Sequence, residues 1–153
     1  MKKILTGAAL ILTVATGFAL AEDAPFSKEI KARQGLMNIN ALNIGILAGM
    51  AKGETPYDAA QAKAAADALV AVYNLDLPML WPAGSDNTAN PATNALPAAW
   101  AEGSDIGAKM EAWEAAALAM QAAAGTDLAS LQGAMEGLGG ACGSCHKAFR
   151  ASN

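Results

Sequence analysis

The two cysteines and the single histidine of this chain fall within five consecutive residues close to its C-terminus. They form the run Cys142-Gly143-Ser144-Cys145-His146 in a sequence of 153 residues. Cysteines three positions apart lie about one helical turn from each other, so a disulfide between them would close only a very short loop. The two thiols therefore cannot link distant parts of the chain, and the fold must be stabilised by its apolar core.

The spacing Cys-x-x-Cys-His is the attachment motif of c-type haem. Each thiol adds across one vinyl group of the porphyrin, and the adjacent imidazole can ligate the iron. We therefore predict one haem c per chain, bound covalently through Cys142 and Cys145, with His146 as an axial iron ligand. Three other interpretations are weaker. A thiol redox centre is expected in an alternating strand–helix pattern, which this sequence lacks. A structural zinc site needs four ligands, and the chain contains only three cysteine and histidine residues in total. A chance match of the motif would leave the thiols inert.

The N-terminus has the pattern of a secretory signal peptide. Lys2 and Lys3 precede an uncharged apolar run, and Ala19-Leu20-Ala21 forms a small-x-small cleavage site. A membrane anchor is the alternative, but the run is short for a spanning helix, which needs about 20 apolar residues. We expect residues 1–21 to be removed and residues 22–153 to form a single, soluble, periplasmic domain, because c-type haem is attached outside the cytoplasm.

The acidic composition limits the choice of partners. Ten basic and 14 acidic residues give a formal net charge of −4, which becomes more negative once Lys2 and Lys3 are lost. Without a basic tract, the sequence lacks the electrostatic footprint of a nucleic-acid-binding protein. It also contains no nucleophile–base pair and no second cluster of metal ligands, so we predict that the protein is not an enzyme.

An alanine-rich composition with few β-branched runs favours helix. Apolar residues recur at helical spacing, Gly53 and Gly125 are stop signals, and Thr55 and Thr126 are the predicted caps of the helices that follow. The predicted helices span residues 26–52, 55–74, 98–124 and 127–150. Between the second and third, residues 76–97 contain four prolines and are predicted to form a long loop. The prediction is an all-α, antiparallel four-helix bundle with haem c attached to the C-terminal helix.

The chain resembles the class II cytochromes c, the cytochrome c prime superfamily, over essentially its whole mature length. In that superfamily the attachment motif lies near the C-terminus, on the last helix of a four-helix bundle. The stretches that carry the resemblance are Arg33-Gln34-Gly35-Leu36-Met37, Lys52-Gly53-Glu54-Thr55-Pro56-Tyr57-Asp58, Leu80-Trp81-Pro82 and the terminal Cys-x-x-Cys-His-x-x-Phe-Arg. The resemblance implies that Arg33 and Gln34 contact a haem propionate.

The sixth position of the iron is the open question at this site. Because His146 is the only histidine, a second imidazole is excluded. The sixth position is then occupied by a methionine, a lysine or an exogenous small ligand, or it is empty. The methionines beyond the predicted signal peptide are Met37, Met50, Met79, Met110, Met120 and Met135.

Two branches of the superfamily differ at this position. The high-spin branch leaves the iron five-coordinate beneath an apolar first-helix residue and binds nitric oxide or carbon monoxide. The low-spin branch uses a methionine from that same position and carries electrons. Met37 matches the position, and the residues after it are more similar to the low-spin branch. The resemblance therefore implies a periplasmic single-electron carrier with iron held by His146 and Met37. The gas-binding protein is the alternative.

The resemblance also bears on partners. A carrier of this kind works with redox partner proteins, which the sequence does not identify. Relatives include dimers joined through the first two helices, and the broad apolar surface of the first helix here is compatible with a homodimer.

Overall fold

The computed structural model describes residues 24–75 and 77–152, so the predicted signal peptide at residues 1–21 lies outside the described chain. The helices of the described part are α1 Ser27–Ala51, α2 Ala59–Tyr73, α3 Ile106–Ala123 and α4 Leu128–Phe149. They form an all-α four-helix bundle, as the sequence predicts. None of these helices is both long and apolar enough to cross a membrane.

Two helices begin later than predicted, because aspartates rather than threonines cap them. Asp58 and Asp127 each accept a hydrogen bond from the backbone N–H three residues on, at 2.9 and 2.7 Å. Each carboxylate satisfies one of the N–H groups that the first turn leaves unpaired, so α2 and α4 start directly after it. The predicted caps Thr55 and Thr126 are therefore wrong.

The third helix is also shorter than predicted. Residues Pro97–Trp100 form a 3₁₀ turn rather than the start of an α-helix. Gly103 then adopts a φ of 77°, a left-handed conformation that interrupts a right-handed helix at little cost only for glycine. The α-helix accordingly starts at Ile106 instead of Ala98.

The apolar core fills one end of the bundle. This closed end is formed by the C-terminal halves of α1 and α3, the N-terminal half of α4 and most of α2. Its buried residues are Leu47, Met50, Ala62, Ala65, Ala66, Leu69, Ala117, Met120, Ala124, Leu131 and Leu138. Many of them are alanines, which let the helices approach closely around a few large side chains.

The other end of the bundle is hollow. This open end surrounds a cavity of about 1210 Å³, lined by the N-terminal halves of α1 and α3 and the C-terminal ends of α2 and α4. Because neighbouring helices run antiparallel, the end of α4 that carries the attachment motif lies beside the beginning of α1. The bundle therefore brings residues from the two ends of the described chain to one cavity.

The connection between α2 and α3 packs against the open end. Leu96 donates its backbone N–H to the Phe149 carbonyl at 2.9 Å, next to an isolated antiparallel bridge between Ala95 and Arg150. Within the connection, the indole N–H of Trp100 donates to the carbonyl of Trp81 at 3.1 Å. The Leu96 bond and the Ala95–Arg150 bridge hold the connection against the end of α4, and the Trp100 bond ties two parts of the connection together.

Candidate cofactor site

The attachment motif lies in the last turns of α4 and faces the cavity. Cys142, Cys145, His146 and Phe149 follow one another at helical spacing, and all four line the open end. Both cysteines are partly exposed. The fold thus brings the three predicted attachment residues together on one face of one helix.

The surroundings of these groups favour their uncharged forms. Burial raises the pKa of the thiols of Cys142 and Cys145. Burial, together with the nearby charge of Arg150, lowers the pKa of His146. The Nη1 atom of Arg150 lies 3.5 Å from Nδ1 of that imidazole. Because the neutral imidazole is the form that ligates metals, His146 is suited to hold an iron.

A second wall of the cavity is a stripe along α1. Arg33, Met37, Asn40 and Ile44 lie at helical spacing, and all of them line the open end. Met37 is 40% exposed and also lines the cavity. The structure therefore places Met37 and His146 at the same cavity, on different helices.

Arg33 is almost fully buried, with 3% of its surface exposed. Its guanidinium donates to Ser85 Oγ at 2.6 Å, to Thr93 Oγ1 at 3.1 Å and to the backbone carbonyl of Ser85. It also lies over the rings of Trp81 and Trp100, 5.0 and 5.6 Å from their centroids, in cation–π geometry. Sequence reasoning missed this role, in which Arg33 fastens the α2–α3 connection to α1.

The charge of Arg33 is balanced only at a distance. Within the described ranges no carboxylate forms a salt bridge with it. Burial lowers the pKa of Arg33, and the carboxylate of Asp86 acts in the opposite direction. Beside it on α1, Gln34 is exposed and donates to the backbone carbonyl of Ala92 at 2.7 Å. Both side chains line the cavity, and contact of Arg33 and Gln34 with a haem propionate stays a prediction.

The open end fits a haem. Its volume of about 1210 Å³ exceeds the ~300–1,000 Å³ usual for small-molecule pockets. Ile44, Met110, Trp113 and Phe149 are among its lining residues and would face an apolar macrocycle. On the α4 wall the two thiols and the imidazole of the motif can supply two covalent bonds and one iron ligand. These α4 residues would hold the group.

Comparison with known proteins decides the family. A family model described as Cytochrome C' matches residues 28–150. The chain belongs to the cytochrome c' family. Proteins of this family carry one covalently bound haem c per chain and are associated with electron transport, so the predicted cofactor is confirmed.

Individual relatives match over most of their length. A cytochrome c-554 from Cereibacter sphaeroides is 51% identical over 133 residues, covering 86% of this chain and 87% of the relative. The structure of cytochrome c' from Rhodobacter Spheriodes matches with a TM-score of 0.81 at 38% identity, covering 85% of this chain and all of that one. A nitric oxide complex of a mutant cytochrome c prime from Alcaligenes xylosoxidans matches with a TM-score of 0.72 at 29% identity, covering 86% and 100%.

The predicted low-spin electron carrier with a His/Met-ligated iron is wrong, whereas His146 as an axial iron ligand stays a prediction. The matching family and structures are those of cytochrome c', whose haem is typically high-spin and five-coordinate and binds nitric oxide or carbon monoxide. The error has a physical reason. A methionine that ligates the iron and a methionine that only covers it occupy the same position on the first helix. The presence of Met37 therefore could not show whether the chain belongs to the low-spin or the high-spin branch. Cytochrome c' homologues are also soluble, periplasmic and often homodimers.

Proposed function

We propose that this protein binds nitric oxide or carbon monoxide at the open face of a five-coordinate, high-spin haem c. The observation that carries the proposal is the asymmetry of the cavity. The α4 wall supplies both thiols and the only imidazole, whereas the α1 wall includes Met37, Asn40, Ala41 and Ile44, of which only the Met37 thioether is a usual haem-iron ligand. Membership of the cytochrome c' family supports Met37 as a cover over this face rather than an iron ligand.

Each wall has its own task in this proposal. When bound, the haem would supply an iron with a coordination position open to a gas. His146 would hold the group from α4, where burial, and after it the charge of Arg150, lowers the pKa of the imidazole. The side chains of Trp113 and Phe149 line the cavity and limit the access of water. Met37 restricts entry to small ligands.

Location and assembly follow the same proposal. Removal of residues 1–21 would release the protein into the periplasm, where its homologues are found. A homodimer through the first two helices is supported by two exposed apolar side chains of α1, Ile39 and Leu42, which do not line the cavity. In this role the protein binds its ligand without turning over a substrate. Any redox partner protein would interact with the same haem.

An optical spectrum of the reduced protein, with and without carbon monoxide, tests the proposal. We expect a high-spin spectrum that shifts when the gas is added. Met37→Ala should stay high-spin and bind carbon monoxide faster, because the cover over the open face is removed. Met79→Ala is the matched control, since Met79 is an exposed methionine that does not line the cavity. A low-spin spectrum that carbon monoxide leaves unchanged would overturn the proposal.

A further inference from the structure

The α1 wall contains a buried polar side chain to which the proposed function gives no role. Asn40 lines the cavity with only 8% of its surface exposed. Its Oδ1 atom is enclosed and has no hydrogen-bond partner within the described chain. Buried amide groups in native proteins are almost always hydrogen-bonded, because leaving one unpaired sacrifices its interactions with water. The position of Asn40 therefore requires an explanation.

A neighbouring asparagine shows that α1 could have satisfied such a group locally. Asn43 donates from Nδ2 to the backbone carbonyl of Ile39, four residues earlier, at 2.9 Å. Its side chain does not line the cavity. Asn40 makes no bond of this kind, and its Nδ2 group has no hydrogen-bond partner within the described residues although the residue lines the cavity. A partner for this NH₂ group is therefore to be sought inside the cavity.

The order of residues along α1 limits what that partner is. Arg33 and Gln34 lie toward the N-terminal side of Met37, and they are the residues predicted to contact the propionates. Asn40 lies on the other side of Met37, followed by the apolar Ile44 and then by the closed end. An apolar macrocycle edge offers nothing for an amide to bond. The polar group expected in this part of the cavity is a ligand bound at the open face.

We propose that Asn40 hydrogen-bonds to the diatomic ligand bound in this cavity, with its Nδ2 group as the donor. The inference rests on the proposed function, since it requires a ligand at the face that Met37 covers. Because Oδ1 is the enclosed atom of the carboxamide, the NH₂ group is the part left to face the cavity, and it carries two hydrogens that can be donated. A fixed donor in a site that excludes water interacts more strongly with developing negative charge than it would in solvent.

The test compares two leucine variants that remove one carboxamide each. Asn40→Leu removes the cavity amide with little change of shape, and Asn43→Leu removes one from the same helix but outside the cavity. The measurements are the C–O stretching band of the reduced carbon monoxide complex and the dissociation rate of nitric oxide. For Asn40→Leu we expect the band at higher wavenumber and dissociation roughly two- to tenfold faster, the equivalent of one hydrogen bond. For Asn43→Leu neither should change.

A measurement on the unaltered protein makes the test independent of the folding of the variants. If an N–H group contacts the ligand, exchange into D₂O should shift the C–O band. An unshifted band, together with an unchanged band and rate in Asn40→Leu, would overturn the inference while leaving gas binding intact. By contrast, an unaltered protein that is low-spin and insensitive to carbon monoxide would refute the proposed function itself.

Discussion

The closed end and the open end of the bundle are built from the same four helices but bury their interiors in different ways. At the closed end Leu47, Met50 and Leu131 are fully buried against one another and against alanines. At the open end Arg33 and Asn40 are buried although both are polar, and the helices surround a cavity instead of meeting. The closed end thus stabilises the fold through contacts within the protein. The open end would be completed by the haem that it is proposed to hold.

Substitution of a large side chain at the closed end gives the largest expected effect. Leu47→Ala should lower the free energy of unfolding by about 2–5 kcal/mol, because it leaves a cavity in a fully packed region. Ile44→Ala, one turn earlier on α1 but on the cavity wall, should cost less, since its side chain is only partly buried. Urea denaturation of the haem-loaded protein, followed by circular dichroism, compares the two. Equal losses would contradict the distinction between the ends.

The second prediction concerns the buried charge at the open end. Arg33→Met should destabilise the protein by about 2–3 kcal/mol, because hydrogen bonds to a charged group are lost. The hydroxyl of buried Ser85 is left without its donor, while that of Thr93 keeps only the backbone N–H of Ala95. Protease cleavage within the α2–α3 connection should become faster. Gln34→Met is the matched control, because it removes one exposed hydrogen bond and should cost about 0.5–1.5 kcal/mol at most. Equal cleavage rates in both variants would mean that Arg33 does not fasten the connection.

The presence of a haem c could be predicted because the chemistry of its attachment motif is local. Two thiols and an imidazole within one helical turn identify haem attachment without any knowledge of the rest of the fold, and apolar periodicity predicts the helices around them. The helix starts were less accurate, since Thr55 and Asp58 are both competent caps and only the fold decides between them. The structure decides in favour of Asp58, whose side chain is hydrogen-bonded to the first turn.

The α1 wall could not be predicted in the same way, because its roles depend on distant residues. Arg33 bonds to Ser85 and Thr93, which are 52 and 60 positions away, and no local pattern indicates those pairs. Asn40 has the sequence context of an ordinary polar helix residue, and only the tertiary structure shows that it faces a cavity. Met37 lines the cavity, but the sequence could not determine whether its thioether binds iron.

The smallest expected effect is at the start of α4, at the closed end and far from the attachment motif. Asp127→Ala should lower stability at neutral pH, because the backbone N–H of Ser130 loses its acceptor. Asp127→Asn is the matched control, since asparagine is also a good cap but does not titrate. Neither variant should alter the visible spectrum, because haem attachment depends on the other end of the helix.

The pH dependence of this effect identifies its cause. Hydrogen bonds from Ser130 lower the pKa of Asp127 in the folded protein. Its stabilisation is therefore complete above the unfolded-state pKa and is lost as the pH falls through the folded-state value. The difference in unfolding free energy between the unaltered protein and Asp127→Ala should shrink on acidification, whereas the difference between Asp127→Asn and Asp127→Ala should persist. If the first difference stayed constant with pH, the carboxylate would not be acting as a charged cap, and the start of α4 would be set by packing alone.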